Sequence, residues 1–275
     1  MSRFTIAACQ VCAGDDRDAN LATAGRLVRE AADRGADVVC LPEMWPFVGR
    51  DADKIAGAET LDGPSMTAMK TLAQGLGIWL FPGSFAEIAP VPGRVYNCSP
   101  CIGPDGAVRA VYRKIHLFDI DMATGPTFQE SATVAPGDRA VVAETPFGKF
   151  GMTVCYDLRF PALYQALRDA GADVVLVPAA FTATTGKAHW EVLLRARAIE
   201  QQVWVVAADQ GGRHNPVRVS HGHSMVVDPW GFVVGRCSDG VGVTTAVVDP
   251  ALTADVRERL PCAEHRRPFE APGSA

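Results

Sequence analysis

A cysteine at the end of an apolar run is the side chain of this sequence best suited to nucleophilic chemistry. Cys155 follows the apolar run 150–154, and Pro161, six residues later, favours the first turn of a helix. A thiol between a strand and a helix start lies near free backbone N–H groups, which we expect to lower its pKa and to hold an oxyanion. Because most single cysteines are small buried hydrophobic residues, Cys155 counts as a nucleophile only if chemical partners lie beside it.

A carboxylate and an amine also follow predicted strands. Glu43 comes shortly after the apolar run 36–41, and Lys114 comes just after the predicted hairpin 96–112. Catalytic groups in layered α/β folds gather beyond the carboxyl ends of strands, so Glu43, Lys114 and Cys155 can converge. Bulky neighbours predict a dry setting in which Glu43 is a usable base, while a protonated Lys114 beside it would stabilise an oxyanion. Each of the two could instead be an ordinary solvated charge.

The elements that position these residues occur twice along the chain. A strand–helix–strand pattern begins near residue 5 and recurs from residue 152. The segments 35–42 and 171–178 are identical at six of eight positions, which predicts an internal repeat. Two β-α-β halves predict an α/β fold with two sheets packed face to face and helices outside. Because Glu43 follows the first copy and Cys155 the second, the active site is predicted where the two halves meet.

The composition indicates one domain that acts on small molecules. With 275 residues, 48% of them hydrophobic, and no linker, the chain is predicted to form a single domain over 1–275, with about 260–275 as an arm on the surface or on a partner subunit. The net charge of −5 with interspersed signs argues against a nucleic-acid partner. No apolar run is long enough for a membrane span and no export signal is evident, so we expect a cytosolic (cytoplasmic) protein.

The spacing of potential ligands does not indicate a metal or a cofactor. Two CxxC pairs, Cys9/Cys12 and Cys98/Cys101, lie far apart, and the first falls in a strand pattern, which favours core packing over zinc. The six histidines show no metal-binding spacing, and the glycine-rich loop at Gly211 has no following P-loop lysine. We therefore expect neither a metal nor a nucleotide cofactor.

Three segments of the chain carry a family resemblance. The segments 41–43, 112–117 and 151–161 (LPE, YRKIHL and GMTVCYDLRFP) resemble the signature segments of the nitrilase, or carbon–nitrogen hydrolase, superfamily. The resemblance covers nearly the whole chain. It implies a four-layer α-β-β-α sandwich of the nitrilase type, a single domain with an internal pseudo-two-fold repeat. It also implies pairing into a homodimer or a higher homo-oligomer.

The same resemblance implies roles for individual residues. Glu43 is implied as the base, Lys114 as the oxyanion stabiliser and Cys155 as the nucleophile. Glu130, which without the resemblance would be interpreted as an exposed loop carboxylate, is implied to position the substrate or Lys114. The expected reaction hydrolyses a terminal carboxamide of a small 2-oxo acid to the carboxylate and ammonia. It passes through a thioester, with the Tyr156 backbone N–H as a second oxyanion donor.

Later segments narrow the resemblance to one branch of the family. The segments 186–200 and 222–231 resemble the branch that holds deaminated glutathione amidase and ω-amidase, with the first activity favoured and the second kept as the alternative. Both act on amides of 2-oxo acids, so an anion site is expected. Arg159 can aim its guanidinium at a substrate carboxylate, Thr185 is implied as a second substrate contact, and Phe181 is expected to wall the pocket.

Three alternatives stay open on the sequence alone. Arg159 can form a structural pair with Asp157 or another acid instead of binding the substrate. His116 or His189 can be the base of a Cys-His hydrolase, although the family gives neither residue this role. The chain can also be a binding protein that has the fold without catalysis.

Overall fold

Strands and helices alternate through most of the chain, and the computed structural model describes residues 2–121 and 127–269. The described strands are β1 (Phe4–Gln10), β2 (Val38–Cys40), β3 (Trp79–Phe81), β4 (Phe85–Ile88), β5 (Val95–Ile102), β6 (Val108–Arg113), β7 (Asp119–Ile120), β8 (Phe128–Gln129), β9 (Val134–Ala135), β10 (Val141–Thr145), β11 (Gly148–Met152), β12 (Val174–Ala179), β13 (Trp204–Asp209), β14 (Gly211–Arg213), β15 (Val219–His221), β16 (Met225–Val227), β17 (Val233–Arg236) and β18 (Gly242–Val248). The described α-helices are α1 (Arg17–Asp33), α2 (Asp51–Ala56), α3 (Pro64–Leu76), α4 (Pro161–Asp169), α5 (Ala183–Gln201) and α6 (Pro250–Arg259). Short 3-10 helices cover Glu130–Ala132 and Cys155–Arg159.

Two large sheets with the same central pattern form the middle layers. One has the order β18-β1-β2-β3-β5-β4, with β6 and β9 also paired to β5, and the other has the order β10-β11-β12-β13-β16-β17. Strands β1-β2-β3 and β11-β12-β13 are parallel, and each set is flanked by antiparallel strands on both sides. Helices α1 and α3 connect the first set, and α4 and α5 connect the second. This correspondence confirms the predicted four-layer sandwich and its internal pseudo-repeat.

The main core lies between the two sheets. The Phe81 ring of one sheet stacks on the Phe150 ring of the other, with centroids 5.2 Å apart. A second core joins helices α1 and α3 to the outer face of the first sheet, with Leu27 and Met69 fully buried. Strands β2 and β12 are buried along their whole length, as expected for strands covered on both faces. Each such buried aliphatic or aromatic side chain stabilises the fold by roughly 1.5–3 kcal/mol.

A short break separates two consecutive strands of the first sheet. Strand β3 ends at Phe81 and β4 begins at Phe85. Gly83 lies between them with φ +62°, and a Cβ there would lie 1.8 Å from the carbonyl oxygen of Pro42. The break therefore lets this backbone pass against the loop that carries Glu43.

Other local differences involve glycine and short helices. The predicted glycine-rich loop at 211–212 is strand β14, which pairs with β15 in a hairpin. Helix α5 begins at Ala183 and contains Gly186, where a Cβ would lie 2.3 Å from the His221 side chain. Glycine at this position allows close packing, although in sequence it indicates a helix break. Helices α2 and α6 were not predicted.

The last described residues lie against the second half of the molecule. Gln202 Nε2 donates to the Leu260 carbonyl, and Arg266 forms an ion pair with Asp169 of α4. A contact of this arm with a partner subunit stays a prediction, and residues 270–275 lie outside the described residues. Within the described ranges, no helix combines the length and the apolar character that crossing a membrane requires.

Candidate active site

Three residues predicted to do chemistry lie together where the two halves meet. Glu43 follows β2, Lys114 follows β6 directly, and Cys155 follows β11. Lys114 Nζ donates to Glu43 Oε1 at 2.9 Å. All three residues are buried and line one cavity of about 220 Å³. The structure therefore brings together three side chains that lie far apart in sequence.

Cys155 lies at a sharp corner of the backbone. It begins the 3-10 helix Cys155–Arg159, and its φ of +49° is in the left-handed region. A residue other than glycine loses roughly 1–3 kcal/mol of conformational free energy in this region. The surrounding structure must therefore hold Cys155 in this conformation. Pro161 is the first residue of α4, as predicted, but the 3-10 helix between strand and α-helix was not predicted.

The environment of the thiol differs from the expected one. Burial raises the pKa of Cys155 well above its usual value, the Glu43 carboxylate raises it further, and the Lys114 ammonium opposes them. The predicted lowering of this pKa by a helix start is therefore wrong. A neutral thiol beside a carboxylate requires that carboxylate to remove the proton as the sulfur attacks.

The Glu43 carboxylate accepts hydrogen bonds from three donors. Oε1 accepts from Lys114 Nζ and from Asn97 Nδ2, the latter at 2.8 Å, and Oε2 accepts from the Ala180 N–H at 2.8 Å. Gln210 Nε2 donates to the Glu43 carbonyl at 3.0 Å. Ala180 belongs to the second half of the fold, so its N–H links the two halves at this carboxylate.

Lys114 lies between two carboxylates. Its Nζ contacts Glu43 Oε1 and also Glu130 Oε1 and Oε2, at 3.1 and 2.9 Å. Burial alone would lower the pKa of Lys114, but the Glu130 and Glu43 carboxylates hold it well above its usual value. Glu130 is held in turn by the Phe118 N–H at 2.7 Å. The ammonium is therefore charged at neutral pH, and Glu130 lies where it can position it.

Asp157 fastens the corner that carries Cys155. Its carboxylate accepts from the Val154 N–H at 2.8 Å, from the Tyr112 hydroxyl at 2.7 Å and from the His116 N–H at 3.1 Å. The His116 ring nitrogen Nδ1 lies 2.7 Å from the same carboxylate. The alternative in which Arg159 pairs with Asp157 is therefore not realised, because Tyr112 and His116 bind this carboxylate.

The histidines weighed as alternative bases lie outside the cavity lining. The His116 ring stacks on Phe160 with centroids 3.6 Å apart, and His189 Nδ1 lies 3.2 Å from Arg159 NH1. Both rings therefore have packing or hydrogen-bonding roles in this structure.

A third histidine, His214, does line the cavity. Its Nδ1 lies 2.7 Å from the Ala13 carbonyl oxygen and its Nε2 lies 2.9 Å from Ser220 Oγ. Burial lowers the pKa of His214. Both ring nitrogens are thus engaged, which leaves neither one free to take a proton from a thiol.

The remaining predicted site residues also line the cavity. The Arg159 guanidinium lies 5.2 Å from the Phe181 ring centroid and 5.8 Å from that of Tyr156. Thr185 Oγ1 lies 2.8 Å from Thr182 Oγ1. No carboxylate of the described ranges lies within ion-pair distance of Arg159. Arg159 is thus a cation on an aromatic wall, where it can meet an anion.

The site and its scaffold match one protein family. The model of the carbon-nitrogen hydrolase family matches residues 5–258. The chain belongs to the carbon–nitrogen hydrolase family. The match spans both sheets and every segment that contributes to the cavity, so the family assignment covers the whole site.

Individual relatives extend this result. The chain is 46% identical to deaminated glutathione amidase of Homo sapiens over 268 residues, which cover 96% of this chain and 82% of that protein. The crystal structure of the Caenorhabditis elegans NitFhit protein superposes with a TM-score of 0.92 at 40% identity, covering 97% of this chain and 66% of that chain. Saccharomyces cerevisiae Nit3, a member of branch 10 of the nitrilase superfamily, has a TM-score of 0.87 at 30% identity, with 97% of each chain covered. The chain is thus a hydrolase of the amidase type.

In this carbon–nitrogen hydrolase, one residue at the centre of the site was not predicted from the sequence. Asn97 lies in β5, and its Nδ2 donates to Glu43 Oε1 and to Glu130 Oε1, the latter at 3.3 Å. Asn97 is 1% exposed, and its Oδ1 has no partner among the described residues. Asparagine is rare in buried strands, so its presence between apolar neighbours was a usable signal.

A second missed residue, Asp209, supports the turn after β12. This carboxylate is fully buried, and it accepts from the Phe181 N–H at 2.8 Å and from the Gly222 N–H at 2.9 Å, each through a different oxygen. Phe181 directly follows Ala180, whose N–H donates to Glu43. The Ala180 N–H thus binds Glu43 and the next N–H, that of Phe181, binds Asp209. By holding Phe181, Asp209 positions the neighbouring N–H of Ala180.

We expect Asp209→Asn to lower kcat/KM at least tenfold. In the wild type each Asp209 oxygen accepts one backbone N–H. In the variant the NH2 group would face one of these N–H groups, which would lose its acceptor, so the turn with Ala180 and Phe181 would shift. An unsatisfied buried group of this kind costs about 1–3 kcal/mol of unfolding free energy. Steady-state kinetics and thermal unfolding measure the two effects.

Asp228→Asn is the matched control. Asp228 is also buried, but a single oxygen, Oδ1, accepts the N–H groups of Trp230 and Phe232, far from the cavity, and asparagine keeps such an oxygen. Equal kcat/KM losses in the two variants would contradict a positioning role for Asp209.

Proposed function

We propose that this chain is a cysteine-dependent amidase whose substrate is deaminated glutathione. The observation that carries the proposal is the contact of Glu43, Lys114 and Cys155 on one cavity that also presents Arg159. The identity to human deaminated glutathione amidase supports the choice of substrate. An intact set of nucleophile, carboxylate and ammonium disfavours the alternative of a catalytically silent binding protein.

The first step joins the sulfur to the amide carbon. Glu43 takes the thiol proton of Cys155 while the sulfur attacks, and the electron pair of the carbonyl bond moves to oxygen. Glu43 Oε2 has one donor among the described residues, the Ala180 N–H, so it keeps a lone pair for this proton. The raised pKa of Cys155 supports a proton transfer that accompanies attack over a preformed thiolate.

The resulting oxyanion needs donors that are already in place. Lys114 Nζ makes two contacts with Glu130, and the oxyanion replaces one of them. The Tyr156 N–H lies in the first turn of the 3-10 helix, where amides have no partner within the helix, and it is the second donor. Preorganised donors of this kind typically contribute a factor of about 10²–10³ in rate each.

The second half of the reaction restores the enzyme. Glu43 returns its proton to the leaving amine, the carbon–nitrogen bond breaks and a thioester with Cys155 remains. Glu43 then takes a proton from a water molecule that attacks the thioester carbon. The thiol leaves with that proton and the product carboxylate is released. No step requires a metal or a cofactor.

The leaving group depends on the substrate. Deaminated glutathione is an amide between the side-chain carboxyl of a 2-oxo acid and cysteinylglycine, so its leaving amine is this dipeptide. The ammonia expected from the sequence is therefore not the leaving group of deaminated glutathione; it is released only from the alternative substrate 2-oxoglutaramate, a primary carboxamide. Both leave the same acyl group on Cys155. Arg159, with Thr185 nearby, binds the carboxylate of this acyl group, and Phe181 and Tyr156 form its walls.

The test is a comparison of kcat/KM on the two amides. We expect deaminated glutathione to be preferred at least tenfold over 2-oxoglutaramate, measured by release of cysteinylglycine and of ammonia. The opposite preference would identify an ω-amidase. Turnover of neither amide would contradict the proposed function.

We also propose a cytosolic homodimer or higher homo-oligomer. All eight cysteines are free thiols, which supports a reducing compartment. Apolar side chains on and beside α5, namely Val192, Trp230 and Phe232, are 65%, 53% and 62% exposed, which supports a subunit contact on this face.

A further inference from the structure

The cavity carries positive charges that the mechanism does not use. Besides Lys114 and Arg159, its lining includes Lys54 of α2 and Arg218, which directly precedes β15. Both contact the same oxygen of Asp51: Lys54 Nζ at 3.0 Å and Arg218 NH2 at 3.4 Å. We call Asp51, Lys54 and Arg218 the Asp51 cluster.

The Asp51 cluster has a net charge of +1. Burial by itself would raise the pKa of Asp51, but Lys54 and Arg218 together hold it below its usual value, so the carboxylate is ionised. One negative charge therefore faces two positive charges. The Lys54 side chain is 11% exposed, and a charge so far removed from water needs hydrogen-bond partners. The second partner of Lys54 is Thr133 Oγ1 at 2.7 Å.

Arg218 has most of its donors uncommitted. In the part of the chain that the structure describes, Asp51 is the one side chain that pairs with its guanidinium. A guanidinium has five N–H donors in a planar fork that matches a carboxylate. Arg218 is 37% exposed along its side chain, so a ligand in the cavity can reach it.

This cluster is separate from the cation already assigned to the acyl group. Arg159 contacts Tyr156, Phe181 and His189, whereas Lys54 and Arg218 both pair with Asp51. One cavity thus offers two anion positions that belong to different elements of the fold. A ligand with a carboxylate at each end matches this arrangement.

We propose that the Asp51 cluster binds the second carboxylate of the substrate, on the leaving-group side of the scissile amide. This inference rests on the proposed function. Deaminated glutathione has one carboxylate on the 2-oxo acid and another on the terminal glycine, whereas 2-oxoglutaramate has only the first. The cluster therefore selects amides whose leaving amine carries an anion, and Arg218 supplies the hydrogen bonds.

The proposal makes a kinetic distinction between the two halves of the reaction. Cysteinylglycine leaves before the thioester is hydrolysed, and both amides form the same thioester. The cluster therefore acts on binding and acylation and has no contact with the substrate during deacylation. Substitution of Arg218 is then expected to raise KM and to lower the acylation rate, but to leave the rate of thioester hydrolysis unchanged.

The test uses deaminated glutathione and its analogue with a terminal glycinamide, each with wild type and Arg218→Gln. We expect wild type to prefer the free acid about ten- to hundredfold in kcat/KM, as for a lost charged hydrogen bond. Arg218→Gln should bring this ratio close to one, chiefly through KM. The deacylation rate, measured by single-turnover mass spectrometry, should stay within about twofold of wild type.

Arg213→Gln is the matched control, because Arg213 lies in the same hairpin but outside the cavity lining. Its acid-to-glycinamide ratio should equal that of wild type. A ratio unchanged in Arg218→Gln, or no preference for the acid in wild type, would overturn the proposal while leaving the amidase function intact. Absence of any amide turnover in wild type would instead contradict the proposed function itself.

Discussion

Cys155→Ala is expected to abolish turnover of any amide and to form no covalent adduct. The thioester needs the sulfur, and no other thiol among the described residues lines the cavity. The loss of a covalent nucleophile in hydrolases costs many orders of magnitude, up to about 10⁶ in kcat. Incubation with substrate followed by intact-protein mass spectrometry shows the acyl group on wild type and none on the variant.

Cys262→Ala is the control for this experiment, because Cys262 is an exposed thiol in the C-terminal arm. It should keep wild-type turnover and still acquire the acyl adduct. Residue 155 has φ +49°, and alanine has the same Cβ as cysteine, so we expect the substitution to add no new backbone strain. Turnover retained by Cys155→Ala would contradict the thioester mechanism.

Glu43→Gln is expected to lower kcat by about 10²–10⁴, the usual contribution of a general base. Glutamine can keep the one oxygen that accepts from both Asn97 and Lys114, but its NH2 group cannot take the proton of a neutral thiol. Burial is the largest cause that raises the pKa of Cys155, and it persists in the variant, so the thiol still needs an acceptor for its proton. Steady-state kinetics and thermal unfolding separate loss of catalysis from loss of folding.

The same measurement on histidine variants decides between Glu43 and the Cys-His alternative. His116→Gln and His189→Gln should each cost much less than Glu43→Gln, because the two rings lie outside the cavity lining. His116→Gln is expected to lower stability, since His116 binds Asp157 and stacks on Phe160. A larger kcat loss in either histidine variant than in Glu43→Gln would favour a Cys-His hydrolase.

Much of the fold followed from short-range patterns. The apolar runs of β2 and β12 and the repeat 35–42/171–178 predicted two β-α-β units, and two such units form the two sheets. Segments with mixed signals were harder. Gly186 indicated a break inside what is helix α5, because its role is close contact with His221, a residue 35 positions away that local propensity does not report.

Glu43, Lys114 and Cys155 were predictable as candidates from the sequence alone, because each lies beyond a strand end in a segment with a family resemblance. Their surroundings were decided by tertiary structure. Asn97 reaches Glu43 across 54 positions, and Arg218 reaches Asp51 across 167. The pKa of Cys155 was expected to fall and instead rises, because burial and the Glu43 carboxylate outweigh the Lys114 ammonium and the Ala180 N–H. The sequence by itself thus determined which groups can react. Packing between the two halves decided the charge states of these groups and the anions that the cavity can bind, because desolvation and long-range contacts exist only after folding.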